Sequence, residues 1–119
     1  MRPPSELSEQ IKLCHFLSRA GVVFFHVPNG GKRGRREAIA LKAAGLKAGV
    51  PDLIIPQPPS DGGYVGAVVE MKRSDGRPCD GREEQRDWLA IFRRFGWLTL
   101  VGFGADDARE KLTKGGYQL

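Results

Sequence analysis

Gly49-Val50-Pro51-Asp52-Leu53-Ile54-Ile55 and Tyr64-Val65-Gly66-Ala67-Val68-Val69-Glu70-Met71-Lys72 are the two segments around which the rest of the chain can be placed. Both are rich in the β-branched and aromatic residues that suit a pleated surface. The polar Pro56 to Gly63 stretch between them has turn composition, so the pair predicts a hairpin with a long loop. Side chains alternate faces along a strand, which puts Glu70 and Lys72 on one face and Val69 and Met71 on the other.

Working outward, Ser5 to Ala20 predicts a helix: Leu7, Ile11, Cys14 and Leu17 recur at helical spacing, Leu13 and Phe16 widen the stripe, Ser5 supplies a cap and Gly21 a stop. Val22 to Val27 predicts a short strand ended by Pro28-Asn29-Gly30-Gly31. Arg35 to Ala44 predicts a second helix with Ala38, Ile39, Leu41 and Ala44 apolar. Beyond the hairpin, Arg82 to Phe95 predicts an amphipathic helix with Trp88, Leu89, Phe92 and Phe95 on one face. Trp97 to Phe103 then predicts a strand, and Ala105 to Thr113 a closing helix capped from Gly104 or Asp106. The order α, β, α, β, β, α, β, α predicts an α/β fold, a mixed central sheet flanked by helices, in a single domain over residues 1–119.

The 119 residues carry a net charge of +5, which favours a polyanionic partner without proving one. Its distribution is more telling: Lys32, Arg33, Arg35 and Arg36 crowd one glycine-rich segment, Lys42 and Lys47 follow, and Glu37 is the acid among them. Such a cluster suits phosphate contacts, which need positive charge but little geometry; a solvated basic loop is the other reading. Cys14 and Cys79 form no CxxC or CxxH pair, so neither zinc nor a disulfide framework is expected. No apolar run approaches a membrane span, and Met1 to Gln10 does not read as a secretory signal, which predicts a cytoplasmic location in a bacterial or phage-infected cell.

A carboxylate and an ammonium ending an otherwise apolar strand need compensation, because burying charge is costly unless it is paired or binds a metal. Taken alone, Glu70 and Lys72 also read as a strand-end ion pair, and Asp52 after Pro51 as a turn residue. Together on adjacent strands they present two carboxylates and a lysine on one surface. Two close carboxylates repel unless a cation sits between them, and hard oxygen donors without Cys or His suit Mg²⁺ or Mn²⁺. Such a site polarises a phosphodiester, lowers the pKa of bound water, and leaves Lys72 to hold the water or the developing charge. On its helix Gln85 shares a face with Trp88, Leu89 and Phe92, so it is expected to reach the Glu70–Lys72 strand end; a local capping role is the alternative.

Gly49-Val50-Pro51-Asp52 followed by Glu70-Met71-Lys72 resembles the PD-(D/E)xK nuclease signature. With His26-Val27-Pro28-Asn29-Gly30-Gly31 before it and Gln85-x-x-Trp88-Leu89 after it, the ordered set resembles the VRR-NUC branch, the virus-type replication and repair nucleases, over roughly Glu6 to Leu112. The resemblance implies a restriction-endonuclease-like core and Mg²⁺- or Mn²⁺-dependent hydrolysis of DNA. It also implies metal ligation by Asp52, Glu70, the Met71 carbonyl and a first-helix Glu. Glu6 fits the last, four residues before Gln10, with Glu9 as a competitor. Asp52, Glu70, Lys72 and Gln85 would be catalytic. His26, Asn29, Lys32, Arg33, Arg35 and Arg36 would contact DNA, His26 and Asn29 also reading as structural or turn residues. Small stand-alone members are expected to be homodimers acting on branched DNA such as Holliday junctions. Cleavage of flaps or nonspecific DNA, a basic module without catalysis, and a sequence-specific restriction enzyme are the competing readings.

Overall fold

The computed structural model describes residues 2–28, 33–76 and 82–119, with the Arg82 side chain left aside; Asn29, Lys32 and Cys79 lie outside them. The elements follow the expected order: α1 (Glu6–Arg19), β1 (Phe25–His26), α2 (Arg35–Ala43), β2 (Leu53–Ile55), β3 (Ala67–Lys72), α3 (Arg82–Arg94), β4 (Leu98–Phe103) and α4 (Ala105–Lys114). The strands form one sheet in the order β1-β2-β3-β4. β1–β2 and β2–β3 are antiparallel, and the α3 crossover makes β3–β4 parallel. The fold is thus the expected α/β arrangement, a mixed sheet flanked by helices.

One face of the sheet holds the main core. Leu53, Ile55, Ala67, Val69, Met71 and Leu100 pack there against Leu13 and Leu17 of α1 and Ala105, Ala108 and Leu112 of α4. Burying such aliphatic side chains contributes about 1.5–3 kcal/mol each. α3 covers the opposite face over β3 and β4, where Phe92 meets Trp97 edge-on at 5.4 Å.

Two strands are shorter than their composition predicts. β2 lies between Pro51 and Pro56, and neither proline has an N–H for a ladder. With three paired residues in β2, the Val22–Val27 run pairs only at Phe25 and His26, and Val23 N–H donates instead to Gln57 Oε1 at 3.0 Å. Val65 N–H turns away to Gly96 O at 3.1 Å, so β3 begins at Ala67 rather than Tyr64.

Two helical faces also differ from expectation. In α1 the buried positions are Glu9, Gln10, Leu13 and Leu17, while Leu7 and Ile11 are exposed. Two overlapping stripes satisfy the three-and-four spacing, and the polar one is buried because Glu9 and Gln10 each find a partner across the fold. On α3, Phe95 is exposed at the helix end, with Arg94 over its ring at 5.8 Å.

Candidate active site

The antiparallel register pairs Leu53 with Val69. One step further along the hairpin, Asp52 comes opposite Glu70, and both point to the face that α3 covers, as the period-two alternation requires. Asp52 Oδ2 accepts the Met71 N–H at 2.7 Å, a bond that fixes the aspartate against the end of β3. Lys72 Nζ lies 3.7 Å from Glu70 Oε1 and donates to Gln85 Oε1 at 2.6 Å. The structure therefore brings Asp52, Glu70, Lys72 and Gln85 together. Glu70 is 3% and Lys72 8% exposed.

The electrostatics of this cluster are unfavourable for the carboxylates. Burial, then the neighbouring Asp52 charge, push Glu70 up to about 8, against which Lys72 offers partial relief. Burial also raises Asp52, although the Met71 N–H, His26 and Lys72 favour its charged form. The Asp52 and Glu70 carboxyls are close enough to hydrogen-bond, so one proton can be held between them. Ionised, Glu70 keeps Oε2 buried with no donor among the described residues. Glu6, at the start of α1, is raised by burial and by Asp52 and lowered by Lys72, which puts its carboxyl within electrostatic reach of the cluster.

A hard divalent cation would remove both defects, since it neutralises close carboxylates and accepts an orphaned oxygen as a ligand. The donor set fits: two adjacent carboxylates, a third at longer range and, among the described residues, no thiol or imidazole in the cluster. Among the described residues, no three acidic, His or Cys side chains yet converge at ligand distance. The Met71 side chain is buried in the core.

The two acids of the first helix occupy different positions. Glu9 Oε1 accepts the Ala105 N–H at 3.3 Å and so caps α4 from α1. Gly104, the N-cap of α4, has no side chain to do so; a Cβ there would lie 2.7 Å from Glu9 Oε2, and its φ is +87°. Glu9 thus serves the α1–α4 contact, whereas Glu6 feels the charges of Asp52 and Lys72. The role of Glu9 has a trace in the sequence: Gly104-Ala105-Asp106-Asp107 opens a helix with no Ser, Thr, Asp or Asn at the cap, so an acceptor must come from elsewhere.

His26 sits behind Asp52 rather than in the cluster. Its Nδ1 is 2.7 Å from Asp52 O. A carbonyl only accepts, so Nδ1 carries the proton. Gln10 Nε2 lies 3.1 Å from the same nitrogen, and rotating that amide presents its oxygen to the shared N–H. Val27 N–H donates to Asp52 O at 3.0 Å as well. Backbone and side chain of Asp52 are therefore held separately, by β1 and β3. Gly49 completes the support. Its φ is +80°, and a Cβ there would lie 2.6 Å from Glu84 Cβ and 2.9 Å from the Gln85 nitrogen. Only glycine lets the Asp52 segment lie directly on the first turn of α3, where Trp88 Nε1–H also donates to Ala48 O at 3.0 Å. Arg35 and Arg36 are exposed on the first turn of α2, with Arg33 just before it.

Residues 6–102 match the sequence profile of the VRR-NUC domain. The chain belongs to the VRR-NUC family. A solved structure described as a VRR_NUC domain protein superposes with a TM-score of 0.78 at 22% identity, covering 97% of this chain and 90% of that one. No curated protein sequence matches the chain. Membership places this VRR-NUC chain in a nuclease family, with a nucleic acid as its partner. Among the described residues no helix is long and apolar enough to cross a membrane.

Proposed function

We propose that the chain is a Mg²⁺- or Mn²⁺-dependent endonuclease that hydrolyses DNA phosphodiesters at Asp52, Glu70 and Lys72. The observation that carries this reading is the half-buried Asp52 held beside the buried Glu70 and Lys72, with Glu70 Oε2 left without a donor among the described residues. Nothing in a purely structural role calls for two acids held against each other under α3, whereas a phosphodiesterase needs such a pair. Asp52, Glu70 and the Met71 carbonyl would hold the metal, with Glu6 as a further or water-mediated ligand. Bound there, the ion would polarise the phosphate and acidify a water.

The chain's own residues account for the remaining steps. Lys72, oriented by Gln85, presents a fixed ammonium to the attacking water or to the charge that develops on phosphorus. His26, Gln10 and Val27 hold the Asp52 backbone in place. Arg33, Arg35 and Arg36 supply phosphate contacts beside the cut. Cleavage of a four-way junction needs two opposed cuts from a chain with one such set, so the reading includes a homodimer with two-fold symmetry matching that of the junction.

The test is cleavage of linear, flap, fork and four-way substrates with Mg²⁺ or Mn²⁺, using Asp52→Asn as control. Four-way junctions cut fastest by the wild type and left intact by the variant is the expected result. Cleavage surviving excess EDTA would refute the metal-dependent reading. Flaps cut faster than junctions by a strict monomer would refute the junction and dimer part alone.

A further inference from the structure

α2 buries none of its residues, and it packs against no other helix or strand among the described residues. This is unusual, because a helix of nine residues is shorter than the roughly 12–15 that hold helicity alone and relies on packing. Only Leu41 is partly covered, while Ile39 is 60% exposed. At helical spacing Arg35, Ile39, Lys42 and Ala43 form one outward stripe, with Arg36 at its margin.

The position of α2 is equally specific. The chain leaves the sheet after His26, whose ring is bonded to Asp52 O, and re-enters it just after Asp52 itself. The returning limb is pinned to α3 through Ala48 and Gly49, beside the Gln85 that holds Lys72. Both roots of α2 are thus at the active-site end of the sheet.

We propose that α2 is a duplex-gripping arm whose Arg35–Ile39–Lys42–Ala43 face lies in the major groove of double-helical DNA next to the phosphate being cut. The inference rests on the nuclease reading and adds to it the element that selects duplex on one flank of the site. Charge chooses the occupant. Arg33, Arg35, Arg36, Lys42 and Lys47 face Glu37 alone along this excursion, a balance that matches a polyanion. A second copy meeting α2 across a two-fold axis would set these cations against themselves. Shape agrees with charge. The major groove, about 12 Å wide, admits a helix, and Ala38, Ala40 and Ala43 keep this one slender. Ile39, an exposed apolar side chain amid the cations, suits the thymine methyls that line that groove.

The test uses two variants of the full chain, Ala40→Pro, which breaks the helix but keeps every charge, and Ile39→Glu. Three quantities are read: the thermal midpoint, affinity for a labelled linear duplex in Ca²⁺, and hydrolysis of bis(p-nitrophenyl) phosphate, a diester too small to reach α2. The expected result is an unchanged midpoint, unchanged hydrolysis of the small diester, and duplex binding weakened about tenfold or more. Duplex affinity within about twofold of wild type would overturn the proposal, given how steeply phosphate and groove contacts set it. A lowered midpoint would overturn it too, because α2 would then be packed on its own chain. So would a variant that loses only dimerisation on sedimentation. Failure of the nuclease reading looks different: the wild type itself would not hydrolyse the small diester in Mg²⁺ or Mn²⁺, whatever the variants do to affinity.

Discussion

Replacing Glu70 by Gln should stabilise the metal-free protein, by an amount that grows with pH. Glu70 is held at about 8 in the folded chain against an ordinary 4.5. An acid raised in this way contributes stability that is present in full below the unfolded value and lost as pH climbs through the folded one. Between these limits the folded state keeps a proton that the unfolded state has released, so stability falls by about 1.4 kcal/mol per pH unit. At pH 7 the accumulated loss is about 3 kcal/mol, and across the whole window about 5 kcal/mol. Gln keeps the shape and cannot ionise, so Glu70→Gln should match wild type near pH 4.5 and exceed it by several kcal/mol at pH 8. Urea unfolding in EDTA at intervals from pH 4.5 to 8 reads this directly. Adding Mg²⁺ should then raise the wild type toward the variant and leave the variant where it is, because a cation relieves a charge that only the wild type has. A stability difference that stays flat with pH would refute the reasoning, since the Asp52–Glu70 pair would then carry no shared proton.

Asp52→Asn should abolish cleavage with duplex affinity largely kept, and Lys72→Ala should slow it about a hundredfold, the scale of losing one electrostatic stabiliser; single-turnover rates on a four-way junction check both. Glu9→Ala should lower stability by about 1–2 kcal/mol through the lost cap on α4 while the rate per folded molecule holds, and Glu6→Gln should show the reverse pattern. Ca²⁺ should support DNA binding with little cleavage, measured by gel shift and product formation side by side. Changing Arg33, Arg35 and Arg36 together to Ala should weaken binding to all sequences alike and lower its salt slope by roughly one per lost phosphate contact; an unchanged slope would mark them as solvated.

The sequence by itself determined the hairpin, the order of elements and the partners of the site. Alternation along Tyr64 to Lys72 set Glu70 and Lys72 on one face, and helical spacing aimed Gln85 at them, because both periods follow from backbone geometry alone. Tertiary structure decided what periodicity leaves degenerate. In α1 two stripes share the same spacing, and the buried one is the polar one only because Ala105 N–H and His26 wait for Glu9 and Gln10. That same contact separated Glu9 from Glu6, whose equal acidity and neighbouring positions make them indistinguishable in a linear chain. The length of β1 depended on the two prolines flanking its partner strand rather than on its own residues. The need for Gly49 emerged only when its segment met the backbone of α3. α2 reads from sequence as an ordinary helix with Ala38, Ile39, Leu41 and Ala44 apolar; that no other helix or strand among the described residues packs on it is a fact of tertiary structure, which pattern cannot express because it says which residues are apolar and not what lies opposite them.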